Sequence, residues 1–190
     1  CLAMDGYPNV NRALLLPESP MQFLPSLAGL IGSDCALFLQ QLHYWLKYSP
    51  NVYENRRWVY NLLDEWNLQF FFWSKSTLQR VLRKLQNVTV NDKTYHLILV
   101  TEFNNNAFNH MKWLTINYEA LAELSTIAEE VRFARYQKII GASKSLQTRL
   151  PKLVVKYPGL QEFLEKNPVF EEAEKDDAAQ EDSREGQNDH

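Results

Sequence analysis

Between Ser74 and Gln86 the chain sets Lys75, Arg80, Arg83 and Lys84 among Leu78, Val81, Leu82 and Leu85. Apolar residues at i, i+3, i+4 and i+7 form one face of a helix. At about 100° per residue, Ser76, Arg80 and Arg83 fall roughly opposite that face. Gln79 and Lys84 lie at its margins, Lys75 and Thr77 in the first turn, and Ser74 is a suitable N-cap. Such a helix packs by its leucines and presents guanidinium, ammonium, amide and hydroxyl groups outward. Those groups suit nucleic-acid recognition: arginine donates twice to guanine, glutamine pairs with adenine, and lysine neutralises phosphate. Ser76, Thr77, Gln79 and Arg80 are therefore candidates for base edges, and Lys75, Arg83 and Lys84 for phosphates. A basic outer face is more often simply solvated. Against that stands the absence of any acid between Glu65 and Asp92.

Other chemistries find less support. His43, His96, His110 and His190 stand in no HExxH or Cys-x-x-Cys pattern, and Cys1 and Cys35 are too few for a zinc site or a disulfide framework. The stretch Leu27 to Ser33 has two glycines but lacks the Gly-Lys-Ser/Thr ending that cradles phosphate. Asp64 and Glu65 are adjacent on a helix and point about 100° apart, which suits capping better than paired acid–base work. No catalytic site, metal or cofactor is expected.

The elements around the basic helix are legible from period and punctuation. Residues 1–23 hold three of the eight prolines, a fourth follows at Pro25, and the stretch to about Ser26 reads as an irregular arm. A first core helix runs from Ser33 or Asp34, as caps, to about Tyr48, with Cys35, Leu39, Leu42 and Leu46 inward and Phe38 and Trp45 widening the stripe. Arg56 and Arg57 precede a short β-prone run, Trp58 to Tyr60. Asn61 then caps a second helix, with Asp64 at the third position and Leu62, Leu63 and Trp66 inward. Gln69 to Trp73 is too short and too apolar for a helix, and reads as a packed turn that sets the angle to the basic helix.

Beyond that helix the period falls from 3.6 to 2. Val88 to Val90, Tyr95 to Val100 and Lys112 to Asn117 alternate or are β-branched, and are joined by Asn91-Asp92 and by the asparagine-rich stretch 104–109. Tyr118 to Leu124 and Glu129 to about Ile140 return to helical spacing. The expected fold is mainly α with a small β wing: a winged helix-turn-helix, then C-terminal helices and an acidic tail. Asn105, Asn106 and Lys112 belong to the wing, and Arg56 and Arg57 become phosphate ligands if the short strand brings them beside the groove.

Composition bounds the whole. The chain has 190 residues, 45% of them apolar and 24 aromatic, enough for one compact domain or one domain with an extension. No apolar run approaches the ~18 residues needed to span a bilayer, so a cytoplasmic protein without a membrane partner is expected. The formal net charge of −3 hides a polarity. Residues 171–190 hold nine acids and two bases; residues 1–170 hold 14 acids and 18 bases. The tail has no apolar period and is expected to stay disordered, free to compete with DNA for the basic face. Seven bases and no acid lie from Val131 to Gln161. A second phosphate-tracking surface, a charged helix packed on the body and a site for the tail are all open readings of that run.

Several segments also carry a family resemblance. Leu24-Pro-Ser-Leu-Ala28 with Ile31-Gly32, Leu39-Gln-Gln-Leu-His-Tyr-Trp-Leu46, Trp58-Val-Tyr-Asn61, Glu65-Trp66, Phe70 to Ser74 and Lys112-Trp-Leu-Thr-Ile-Asn-Tyr118 occur in order. Residues 24–121 thereby resemble the N-terminal winged-helix domain of replication initiation proteins from phages and mobile elements, the replisome organisers. The resemblance implies a domain that binds double-stranded origin DNA and self-associates, with a C-terminal region recruiting the replicative helicase or its loader. It makes Ser74 to Lys84 the recognition helix and Asn104 to Lys112 the wing. The chain departs from the family at Val88 to His96, an added hairpin without glycine. After Leu121, residues 122–170 carry no likeness to a helicase-recruiting domain. Within the same binding class a transcriptional regulator is the nearest alternative, and outside it a protein-interaction module.

Overall fold

The computed structural model describes residues 14–16, 18–103 and 112–167. The fold is mixed α+β, and it divides into two compact units between Ala128 and Glu129. Among the described residues no helix is long and apolar enough to cross a membrane.

The first unit opens with a helix that the proline count concealed. Pro25 sits at the first helical position, where its fixed φ favours a start and its missing N–H costs nothing, so α1 spans Pro25–Ile31, beginning in the last residues of what the sequence presents as an arm. Gly32, at φ 89°, ends α1, and α2 (Ser33–Tyr48) begins at once. Gly32 is the N-cap of α2 and no side chain caps it. Ser33 and Asp34 lie within the helix, in place of the capping role expected of them. Cys35, Phe38, Leu39, Leu42 and Leu46 are buried as the period requires. Trp45 is not part of that stripe. It is 38% exposed and donates its indole N–H to Gln69 Oε1 at 2.8 Å.

A hairpin of β1 (Val52–Tyr53) and β2 (Arg56–Arg57) turns through Glu54 and Asn55, both at positive φ. Strand β3 (Val59–Asn61) leads to α3 (Leu63–Gln69). The N-cap of α3 is Leu62, not Asn61, and the reciprocal contact comes from Glu65, whose carboxylate accepts the Leu62 N–H at 2.6 Å. Leu62 is correspondingly exposed, while Trp66 is buried against Phe38 at 5.1 Å between centroids. At the following corner Phe70 turns in, and Phe71 and Phe72 turn out. Asn67 closes the corner by donating its amide to Phe70 O at 3.3 Å and Trp73 O at 3.0 Å.

Helix α4 (Lys75–Gln86) follows, seated on the core by Leu78, Val81 and Leu85, all at 0% exposure. The hairpin of β4 (Val88–Val90) and β5 (Lys93–Tyr95) needs no glycine because Asn91 and Asp92 adopt φ 50° and 63°. Short polar side chains tolerate that left-handed region better than other residues do. Strands β6 (Ile98–Thr101) and β7 (Lys112–Ile116) pair antiparallel, and β3 joins the far edge of β7, so the sheet order is β3-β7-β6. Register sets Asn61 opposite Lys112, Val59 opposite Leu114, and Val100 opposite Leu114. Asn117 caps α5 (Tyr118–Ser125) through the Ala120 N–H, and Leu124 anchors that helix in the same core.

The second unit contains α6 (Ala128–Gly141), α7 (Lys144–Lys156, with Pro151 inside it) and α8 (Gly159–Lys166) around Ile140, Leu150 and Phe163. Arg132 pairs with Glu162 at 3.4 Å, and Lys166 with Glu129. Of the seven bases noted in its sequence, all but Arg132 are exposed.

Candidate nucleic-acid interface

The first turn of α4 is built from hydroxyls. Ser74 Oγ accepts the Thr77 N–H at 3.2 Å and lies 3.0 Å from Thr77 Oγ1 and 3.1 Å from Ser76 Oγ. A serine at this position satisfies one of the backbone donors that every helix start leaves over. Thr77 is thus half-buried and engaged at the cap, whereas Ser76 remains exposed. Lys75 reaches back to Asp64 Oδ1 at 2.5 Å.

Past that turn the helix has two flanks. On the flank toward α2, Arg80 Nη2 donates to Asp34 Oδ2 at 3.0 Å, and Lys84 extends over the α1–α2 junction at Gly32. Cys35 registers both cations: burial pushes its thiol pKa up, and Lys84 and Arg80 pull it part of the way back. On the other flank, Gln79, Leu82, Arg83 and Gln86 repeat at helical spacing and face the sheet across a groove of about 420 Å³. Lys112 and Asn61, brought together by the β3–β7 register, stand on the opposite bank. Leu63, Val100 and Leu114 form its apolar floor, and no carboxylate lines it. Neither Arg83 nor Lys112 has a protein partner among the described residues.

The remaining candidates lie elsewhere. Arg56 pairs with Glu119 Oε2 at 3.1 Å, and Arg57 Nη1 donates to the Lys47 carbonyl at 2.9 Å. They border a separate cavity with His43, Thr115 and Tyr118, at the end of β7 opposite Lys112, roughly 13 Å along the strand. There the His43 Nδ1 and Tyr118 hydroxyl are 2.7 Å apart, and burial raises the Tyr118 pKa. The Glu119 carboxyl is held below its ordinary value, first by its own backbone N–H and then by Arg56. The structure therefore unites Gln79, Arg83 and Lys112, keeps Ser74 and Thr77 at the cap, ties Lys75 and Arg80 to carboxylates, and sets Arg56 and Arg57 apart. Asn105 and Asn106, with most of the expected wing, lie outside the described residues, as does the acidic tail.

Asn61 and Gln86 join the site without having been candidates. The alternation Val59, Tyr60, Asn61 carried a signal for Asn61, since Val59 and Asn61 must share a sheet face. Among the described residues no group of three or more His, Cys, Asp or Glu is placed to hold a metal ion. Protein-family models, curated proteins and solved structures give no match to this chain.

Proposed function

We propose that the first unit is a winged-helix module of the helix-turn-helix class that binds double-stranded DNA through α4, and that the protein serves replication initiation in a phage or mobile element. Duplex binding is supported by the order α2, β3, α3, α4, β6, β7, a helix, strand, helix, helix, strand, strand series into which the hairpins β1–β2 and β4–β5 are inserted. The observation that carries it is the exposure of Gln79 and Arg83, free of carboxylates, on a helix whose inner side is fully buried. Twelve helical residues give about 18 Å of rod, of a diameter the major groove admits. The replication setting rests on the resemblance of residues 24–121, and so do self-association and a helicase or helicase loader as partner.

Selection of bound duplexes from a random library, followed by anisotropy titration, tests the reading. An enriched motif is expected, with affinity falling at a log–log salt slope of about −4 to −5 if four to six phosphates are neutralised. Arg83→Gln lowers that affinity at least tenfold, by roughly the worth of a charge-assisted contact. No salt-sensitive affinity for any duplex rejects the proposal. A transcriptional regulator shares this DNA-binding geometry and is separated from a replication protein by the genes beside it.

The pairs Lys75–Asp64, Arg80–Asp34 and Arg56–Glu119 favour a second reading, a protein-interaction module whose cations dock an acidic partner. Under that reading Arg80→Ala with Arg83→Ala leaves any DNA binding unchanged and abolishes a protein contact. The Arg80–Asp34 pair is about half exposed on both sides, and such pairs contribute at most about 1 kcal/mol, so a phosphate can displace the carboxylate.

A further inference from the structure

The groove between α4 and the sheet has more chemistry than a surface that only lies against a duplex requires. Two cations without protein partners among the described residues, Arg83 and Lys112, face each other across it. Asn61, Gln79 and Gln86 add three amides. Trp66 completes the wall, and its buried indole N–H has no acceptor among the described residues. A buried donor left unpaired is costly and uncommon in folded proteins.

We propose that this groove binds a single nucleotide, its base laid on the apolar floor and its phosphate held by Arg83 and Lys112. Each alternative ligand class leaves part of the lining unused. Inorganic phosphate would satisfy the cations but leave Leu63, Leu82 and Leu114 uncovered. An aliphatic acid would cover the leucines but leave the amides unpaired. A nucleobase has a flat apolar face and an edge of alternating donors and acceptors, and each carboxamide offers both kinds of group to such an edge. The volume of about 420 Å³ lies in the range of small-ligand sites. The same chemistry is presented by a free nucleotide and by an unpaired nucleotide within a single strand. The inference stands on the groove whether or not α4 enters a duplex.

Calorimetry on the full chain with thymidine monophosphate, thymidine, inorganic phosphate and an oligothymidylate of about ten residues tests it. Thymidine monophosphate is expected to bind with a Kd below about 1 mM, and thymidine and phosphate each at least about tenfold more weakly. Arg83→Gln and Lys112→Gln each weaken the nucleotide at least about tenfold, and Lys47→Gln, which removes a charge elsewhere on the same unit, leaves it unchanged. Tighter binding of the oligonucleotide, lost in the same two variants, identifies a strand as the source; equal or weaker binding identifies the free nucleotide. The proposal is overturned if neither nucleotide form binds, if phosphate alone binds as well, or if binding survives both substitutions. Duplex affinity without nucleotide binding sinks this inference alone, and nucleotide binding without duplex affinity sinks only the duplex reading.

Discussion

The two flanks of α4 carry similar side chains and meet opposite circumstances. Arg80 and Arg83 are three residues apart on one helix, both exposed, yet Arg80 finds Asp34 at 3.0 Å while Arg83 overlooks a groove without an acid. Neither the helix nor the residue type separates them. The difference lies in what tertiary packing delivers opposite each one: the first turn of α2 on one side, the Asn61–Lys112 end of the sheet on the other. A cation's availability to a ligand is thus a property of the facing element, invisible in a wheel drawn for α4 alone.

Removing the support common to both flanks has the largest expected effect. Leu78→Ala, at a position with no exposure, should cost about 2–5 kcal/mol in chemical denaturation and weaken every ligand contact of α4 together. If duplex binding persists undiminished in a destabilised Leu78→Ala protein, α4 is not the element that carries it. Next comes the comparison itself. Arg83→Gln is expected to reduce duplex affinity at least about tenfold, and Arg80→Gln no more than about threefold, because Arg80 already spends part of its field on Asp34. Equal losses would erase the distinction between the flanks.

Ser74→Ala removes the cap on which both flanks begin and should lower the free energy of unfolding by about 1 kcal/mol, measured from the denaturation midpoint. Asp34→Asn should free Arg80 and tighten duplex binding about two- to threefold at low salt, with a steeper salt slope. Unchanged binding in that variant would show that Arg80 stays outside the interface. The smallest effect belongs to the distant Arg56–Glu119 pair. The Glu119 pKa is lowered from 4.5, so its contribution is complete above that value and is lost as pH falls through the lower folded-state value. Glu119→Gln should therefore lower thermal stability slightly near neutrality, flatten its acid limb, and leave it unaltered at the acid extreme, where the carboxyl is protonated in both folded and unfolded chains.

Much of this architecture was legible because its signals are local. The Ser74 cap, the Leu78–Leu85 stripe and the change to period 2 after Gln86 each sit within a dozen residues. Asn91-Asp92 marked a hairpin without glycine because both residue types tolerate left-handed φ. Where the sequence misled, a local signal had two meanings. Pro25 closes a proline-rich arm and also starts α1. Asp34 suits an N-cap, but Gly32 takes that place by its backbone alone, leaving the carboxylate to Arg80. Trp45 fits the apolar period of α2 yet uses its N–H on Gln69 at the margin. The groove was hidden for another reason: Asn61 meets Lys112 only through a register between strands some fifty residues apart, and no window along the chain encodes that meeting.

The corner between α3 and α4 makes this geometry adjustable from a single point. Asn67 bridges two carbonyls there, so one carboxamide acts as the latch that fixes the bearing of α4. An aspartate at this position, with no hydrogen to donate, would unfasten the latch without altering the leucine anchors or the identity of any ligand-facing group. The spacing of the two banks of cations is therefore governed by a residue that touches neither.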